Sequence, residues 1–158
     1  MKKLYYILFL LTLSACVVTR EFREGDVSQQ DWPIFRGSPS LCGYTDCALP
    51  AQPKLLWSTT TQTRTVASPI VFNGVVYTLS RKGELRGYTM QGDSCIYYNL
   101  GTPVEASFIA SDATLYIGRI DGFVTALSIK RLLHQKYSSS SSATPMKPLW
   151  EYETMGQI

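Results

Sequence analysis

From Pro69 onwards the chain alternates apolar and polar positions in short runs separated by turn residues. Pro69-Ile70-Val71-Phe72 is one run, and Val75-Val76-Tyr77-Thr78-Leu79 is the next. Glu84-Leu85-Arg86-Gly87-Tyr88 and Cys95-Ile96-Tyr97-Tyr98 follow. A period of two sends successive side chains to opposite faces, which is the pattern of half-buried strands. Asn73-Gly74 separates the first two runs, and both residues tolerate positive φ, as a tight hairpin turn requires. Lys82-Gly83 turns the chain again. The block predicts a four-stranded β-meander.

The same block recurs. Ala67-Ser68 falls on Ala106-Ser107 at an offset of 39 residues, and at that offset Tyr77 falls on Tyr116 and Gly83 on Gly122. In the second unit Thr114 to Gly118 is predicted to pair with Phe123 to Leu127 across Asp121-Gly122. Trp57 lies eleven residues before Ser68, and Ile96 lies eleven before Ser107. Trp150 is read at the same repeat position and as the start of a third unit. It comes about fifteen residues later than the period places it, and an unbroken run from Ser138 to Ser142 marks a polar insertion over 134–148. Short strands in blocks of roughly forty residues are the signature of propeller blades. The expected fold is all-β: a partial β-propeller of two four-stranded blades plus the start of a third, within residues 31–158.

The first residues differ in kind. Lys2 and Lys3 precede an apolar run from Leu4 to Leu13. A run of about ten residues is too short to cross a bilayer as a helix and has the anatomy of a secretion signal. It ends in Leu13-Ser14-Ala15-Cys16, which resembles the lipobox of bacterial lipoproteins. That resemblance implies a signal peptide over 1–15, acylation of Cys16 and a polar tether over 16–30. Membrane lipid is thus the first expected partner. Val17, rather than Asp, follows the cysteine, which by resemblance to enterobacterial sorting favours the outer membrane, facing the periplasm. Export also places the remaining cysteines in an oxidising compartment. Cys42 and Cys47 flank a short loop-like stretch and are candidates for a local disulfide. Cys95 is either buried as a small apolar residue or lacks its partner in this chain.

Composition narrows the function. The chain has 158 residues, 45% of them apolar and 17% charged, with a net charge of +3. That balance fits a folded domain, and the scattered Lys and Arg give no nucleic-acid footprint. Two cysteines at this spacing with one distant histidine are too few for a closed zinc site. His134 sits in a Lys/Arg-rich stretch beside the serine run and reads as a solvated loop residue. Asp46, Asp93, Glu105, Asp112 and Asp121 lie at or near turns, where Asp commonly bonds its own backbone. Arg36 and Trp32 read as turn and packing residues.

Taken together, Asp31-Trp32-Pro33-Ile34-Phe35-Arg36-Gly37, Leu56-Trp57, Ala67-Ser68-Pro69-Ile70-Val71, Arg81-Lys82-Gly83-Glu84-Leu85 and Ala126-Leu127 resemble the quinoprotein (PQQ-like) β-propeller repeat family. The resemblance covers roughly Asp31 to Trp150. Phe108 stands where the repeat has Pro, and Ile96 stands where a blade Trp is usual. The family includes quinoprotein alcohol dehydrogenases and cofactor-free lipoproteins similar to the outer-membrane protein assembly factor of the BamB type. In dehydrogenase relatives adjacent cysteines form a disulfide beside the quinone, and carboxylates and amides bind calcium. This chain has no adjacent Cys pair, and the spacing of its carboxylates suggests no calcium site. The resulting expectation is a non-enzyme with no cofactor, no metal and no evident small-molecule substrate. It is a membrane-anchored scaffold for other envelope proteins, with outer-membrane protein assembly as the candidate task. The alternative is the N-terminal part of a quinoprotein-type dehydrogenase or ligand-sensing propeller. A further expectation is that two blades alone do not make a stable fold.

Overall fold

The computed structural model describes residues 31–46, 51–61, 63–65, 67–135 and 146–156. Two four-stranded antiparallel meanders account for its strands. The first is β1 (Ile70–Phe72), β2 (Val75–Leu79), β3 (Glu84–Thr89) and β4 (Ser94–Asn99). The second is β5 (Phe108–Ser111), β6 (Thr114–Gly118), β7 (Phe123–Ser128) and β8 (Trp150–Glu153). Each sheet keeps chain order, so every strand pairs with its sequence neighbour, as in a propeller blade. The partial propeller expected from the 39-residue repeat is the fold observed.

The turn residues act as the sequence reads them. Asn73 and Gly74 both take positive φ, 52° and 71°. Their counterparts Asp112 and Ala113 do the same at 48° and 58°. The register then aligns equivalent rows across the blades. In the first blade Ile70, Tyr77, Gly87 and Ile96 lie side by side across four strands. In the second the row is Ile109, Tyr116, Ala126 and Trp150.

Trp150 therefore lies in the outer strand of the second blade, which it completes; it does not open a third unit. Its repeat position is the one read from the sequence, since Ile96 holds the same place in β4. What differs is the boundary between units, because the position belongs to the end of a blade. Residues 136–145, within the expected insertion, lie outside the described residues. The segments flanking them show that the insertion falls between the third and fourth strands of the second blade.

One element departs from the expectation. Ile129–His134 is a short helix, α1, capped by the Ser128 side chain, which accepts from the Arg131 backbone N–H. Ile129 and Leu132 are spaced by three, so they share a face, and that face is buried against β4 and β7. Tertiary burial makes a helix of a stretch whose charges alone suggest a loop. His134, its last residue, is exposed.

The two blades share one core. Ile70, Tyr77, Leu79, Leu85 and Ile96 of the first meet Phe108, Leu115, Ile117 and Leu127 of the second, with Ile129 and Leu132 alongside. All of these side chains are almost wholly removed from water.

Candidate functional site

The chemistry-bearing residues gather along the seam between the blades. At its inner edge the segment before the first blade crosses both inner strands. Trp32 N–H donates to the Val71 carbonyl at 2.7 Å, and Val71 N–H donates back at 2.9 Å. Asp31 Oδ1 accepts from the Asn73 N–H at 3.0 Å. Pro33 carbonyl accepts from Ala110 N–H of β5 at 2.9 Å. Three consecutive residues thus satisfy backbone groups that β1 and β5 would otherwise leave unpaired. Arg36 follows in a left-handed conformation (φ 62°), with its guanidinium over the Phe35 ring and donating to the Leu41 carbonyl.

The most connected side chain lies further along the seam. Arg119 forms ion pairs with Asp121 and Glu151. It also donates to Thr125 Oγ1 and Thr102 Oγ1, each at 3.2 Å, and lies over the Phe123 ring. Its side chain is only 14% exposed. The network ties the link between blades, the β6–β7 turn and the outer strand β8 to one cation. Nearby, Tyr98 donates to the Met146 carbonyl at 3.1 Å. Burial raises the Tyr98 hydroxyl above its ordinary value, Glu151 adds to the rise, and Arg119 partly offsets it. Nothing in the sequence marks Arg119 as central, because its partners come from three separate segments.

Tyr77 is fully buried between the blades, and its hydroxyl has no hydrogen-bond partner among the described residues. Burial pushes its pKa strongly upward, and Cys95 and Asp31 add to the rise. Cys95 packs partly buried against the core, and burial raises its thiol, opposed by a backbone hydrogen bond. Cys42 is exposed, its Sγ 3.3 Å from Ser40 Oγ. Cys47, its expected disulfide partner, and Cys16, the expected lipidation site, lie outside the described residues.

Several carboxylates flagged in the sequence have local partners. Glu105 pairs with Arg81 at 2.6 Å, Asp121 with Arg119, and Asp112 accepts from Ser111 Oγ. Among the described residues no group of three His, Cys, Asp or Glu could hold a metal ion.

No family model matches the sequence, and no curated protein matches it. Solved structures do match. Quinohemoprotein alcohol dehydrogenase ADHIIG from Pseudomonas putida HK5 superposes with a TM-score of 0.61 at 17% identity, over 80% of this chain. Quinohemoprotein alcohol dehydrogenase from Comamonas testosteroni superposes with a TM-score of 0.56 at 18% identity, over 78% of this chain. The chain spans 19% of the length of each. At such identity the likeness is one of fold, and that fold is the quinoprotein propeller.

Both similar structures are enzymes, and this corrects the expectation of a non-enzyme. That expectation rested on missing catalytic patterns within a span equal to a fifth of such an enzyme. The resemblance to lipoprotein assembly factors rests on the sequence pattern alone. A quinone and its cation are what the dehydrogenase likeness implies. The described residues do not fit them, because the carboxylates just named are engaged locally and no donor cluster converges.

Proposed function

We propose that this chain forms two adjacent blades of an envelope-anchored, quinoprotein-type alcohol dehydrogenase. The observation that carries the reading is the pair of in-order four-stranded blades, matched in arrangement to quinohemoprotein alcohol dehydrogenases. In this role the blades are wall, not reaction centre. The Asp31–Pro33 strap fixes their inner strands together, α1 and the Arg119 network fix their outer parts, and the cofactor's ligands come from other blades. Cys16 is the anchor, holding the propeller at the outer membrane among other envelope proteins.

The polypeptide carrying these blades is purified from the envelope, supplied with pyrroloquinoline quinone and calcium, and assayed for dye-linked alcohol oxidation. Quinone-dependent dye reduction is expected. Folded blades with no quinone-dependent oxidation of any primary alcohol would overturn the dehydrogenase reading. Anchoring is tested separately with Cys16→Ala and radioactive palmitate: loss of label is expected, and retained label would refute Cys16 as the acceptor.

A further inference from the structure

Between Asp121 and Glu151 the chain carries no acidic residue, and its charged side chains there are Lys130, Arg131, Lys136 and Lys147. The whole chain holds 15 Lys and Arg against 12 Asp and Glu, so without these four it is close to neutral. Lys136 lies outside the described residues; folding brings the other three to one strand. α1 buries Ile129 and Leu132, and its opposite face presents Lys130, Arg131 and His134 to solvent. Tyr98 of β4, the strand on which α1 packs, donates to the Met146 carbonyl and so holds the exposed Lys147 there too. Among the described residues none of these three cations has an ion-pair partner.

The place of α1 in the fold says what meets this face. Ile129 N–H donates to the Ala113 carbonyl in the β5–β6 turn at 3.0 Å. Asp31, where the expected tether reaches the blades, accepts from Asn73 N–H in the equivalent β1–β2 turn. The basic face and the tether's point of entry thus lie at the same end of the two blades. Residues 17–30 extend to about 45 Å at most, so an acylated Cys16 keeps the blades near the bilayer without orienting them. We propose that Lys130, Arg131 and Lys147 rest on anionic phospholipid headgroups and turn this end of the blades toward the bilayer. The proposal rests on the Cys16 anchor read above, and not on alcohol oxidation. Asp93 and Asp112 are exposed on turns at the same end, which confines the contact to α1 and Lys147. Each cation at such a surface favours contact about fivefold, and three together on the order of a hundredfold. The anchor keeps the face beside the lipid, so charge contacts of this size suffice.

The acylated protein is bound to preformed vesicles of phosphatidylcholine, alone or mixed with phosphatidylglycerol, and lysine acetylation is timed by mass spectrometry. On the anionic vesicles Lys130 and Lys147 are expected to react at least about tenfold more slowly than on the neutral ones. High salt should abolish the difference. Lys82, exposed on the β2–β3 turn at the opposite end, should react at one rate throughout. Arg131→Glu should return Lys130 and Lys147 most of the way to the neutral-vesicle rate, and Arg131→Lys should keep them slow. The Glu variant places a carboxylate three residues after the Ser128 cap, where it supports α1, so the melting temperature should hold. Equal rates on the two kinds of vesicle, slowing that survives high salt or Arg131→Glu, or equal slowing at Lys82 would overturn the proposal. So would slowing in isolated envelopes but not on vesicles, which marks an acidic protein as the partner. Failure to sediment with neutral vesicles counts against the Cys16 anchor, while the rates on anionic vesicles still decide the role of α1.

Discussion

Tyr77 contributes a large apolar body to the seam and a hydroxyl that finds no hydrogen-bond partner among the described residues. A buried, unsatisfied hydroxyl costs on the order of 1–3 kcal/mol, so Tyr77→Phe is expected to leave stability unchanged or raise it by about 1 kcal/mol in urea melts. The pH dependence has a definite sign. Burial raises the folded-state pKa of Tyr77 well above the ordinary tyrosine value of about 10. Above that value the unfolded chain has released the proton while the folded chain still holds it, so stability falls as pH rises. Tyr98, also raised by burial, adds to the fall. The Tyr77→Phe variant should lose less stability than the parent chain between about pH 9 and pH 11, as read from urea midpoints; an identical loss in both proteins would refute this assignment. Gly87 sets a limit of a different kind, because Ile96 fills the space that a methyl would need. Gly87→Ala should destabilise by about 1–3 kcal/mol, and its cost should be smaller in the Ile96→Ala background, where the Cγ1 and Cδ1 contacts are gone and only the Cβ contact remains. Chemical denaturation of the two single variants and the double variant checks the coupling.

Arg119 shows how one side chain holds a whole strand. Glu151 sits in β8, whose residues are all exposed, so this edge strand has little burial of its own to keep it in place. Removing the cation leaves Glu151 and Asp121, whose side chains are 40% and 34% exposed, without the partner they share. Arg119→Met is expected to cost about 2 kcal/mol, more than an exposed pair and less than a fully buried one. Hydrogen exchange should speed up at Glu151–Glu153 while β1 to β3 keep their protection; uniform acceleration would mean that Arg119 is not a clasp for β8. At this scale the sequence was legible where the period of two met a turn residue of the right kind. Asn73-Gly74 announces the first hairpin directly. Asp112-Ala113 does not, since Ala rarely takes positive φ, and only the 39-residue repeat reveals that turn. Local pattern could not reveal α1, whose helicity follows from burying Ile129 and Leu132 against a strand some thirty residues earlier. Nor could it place Trp150, because a long insertion separates β8 from the rest of its blade. The seam network was illegible for the same reason, since Thr102, Arg119 and Glu151 meet only after folding.

Across the whole molecule, two tendencies oppose each other. Blades bury their faces against neighbours, and the outer face of the second blade keeps Ile109, Trp150 and Tyr152 in partial contact with water. That exposure is the physical basis for expecting that two blades alone do not make a stable fold. Against it stands a core that neither blade owns. Ile70, Tyr77 and Ile96 pack with Phe108, Ile117 and Leu127 in one cluster. Asp31–Pro33 bonds to both inner strands, and α1 packs from the second blade onto the outer strand of the first. With the interior shared in this way, neither blade keeps its burial if the other opens, so the two should unfold together. Phe108 is the sharpest probe, being fully buried at the start of β5, against the first blade. Phe108→Ala should cost about 3–5 kcal/mol, the usual loss for a core aromatic. The informative readout is where that loss appears. Amides of β2 and β3, in the blade that does not contain the substitution, should lose protection to the same extent as those of β6 and β7. If the first blade kept its protection while the second melted, each blade would hold its own core, and the seam would be a contact between independent units.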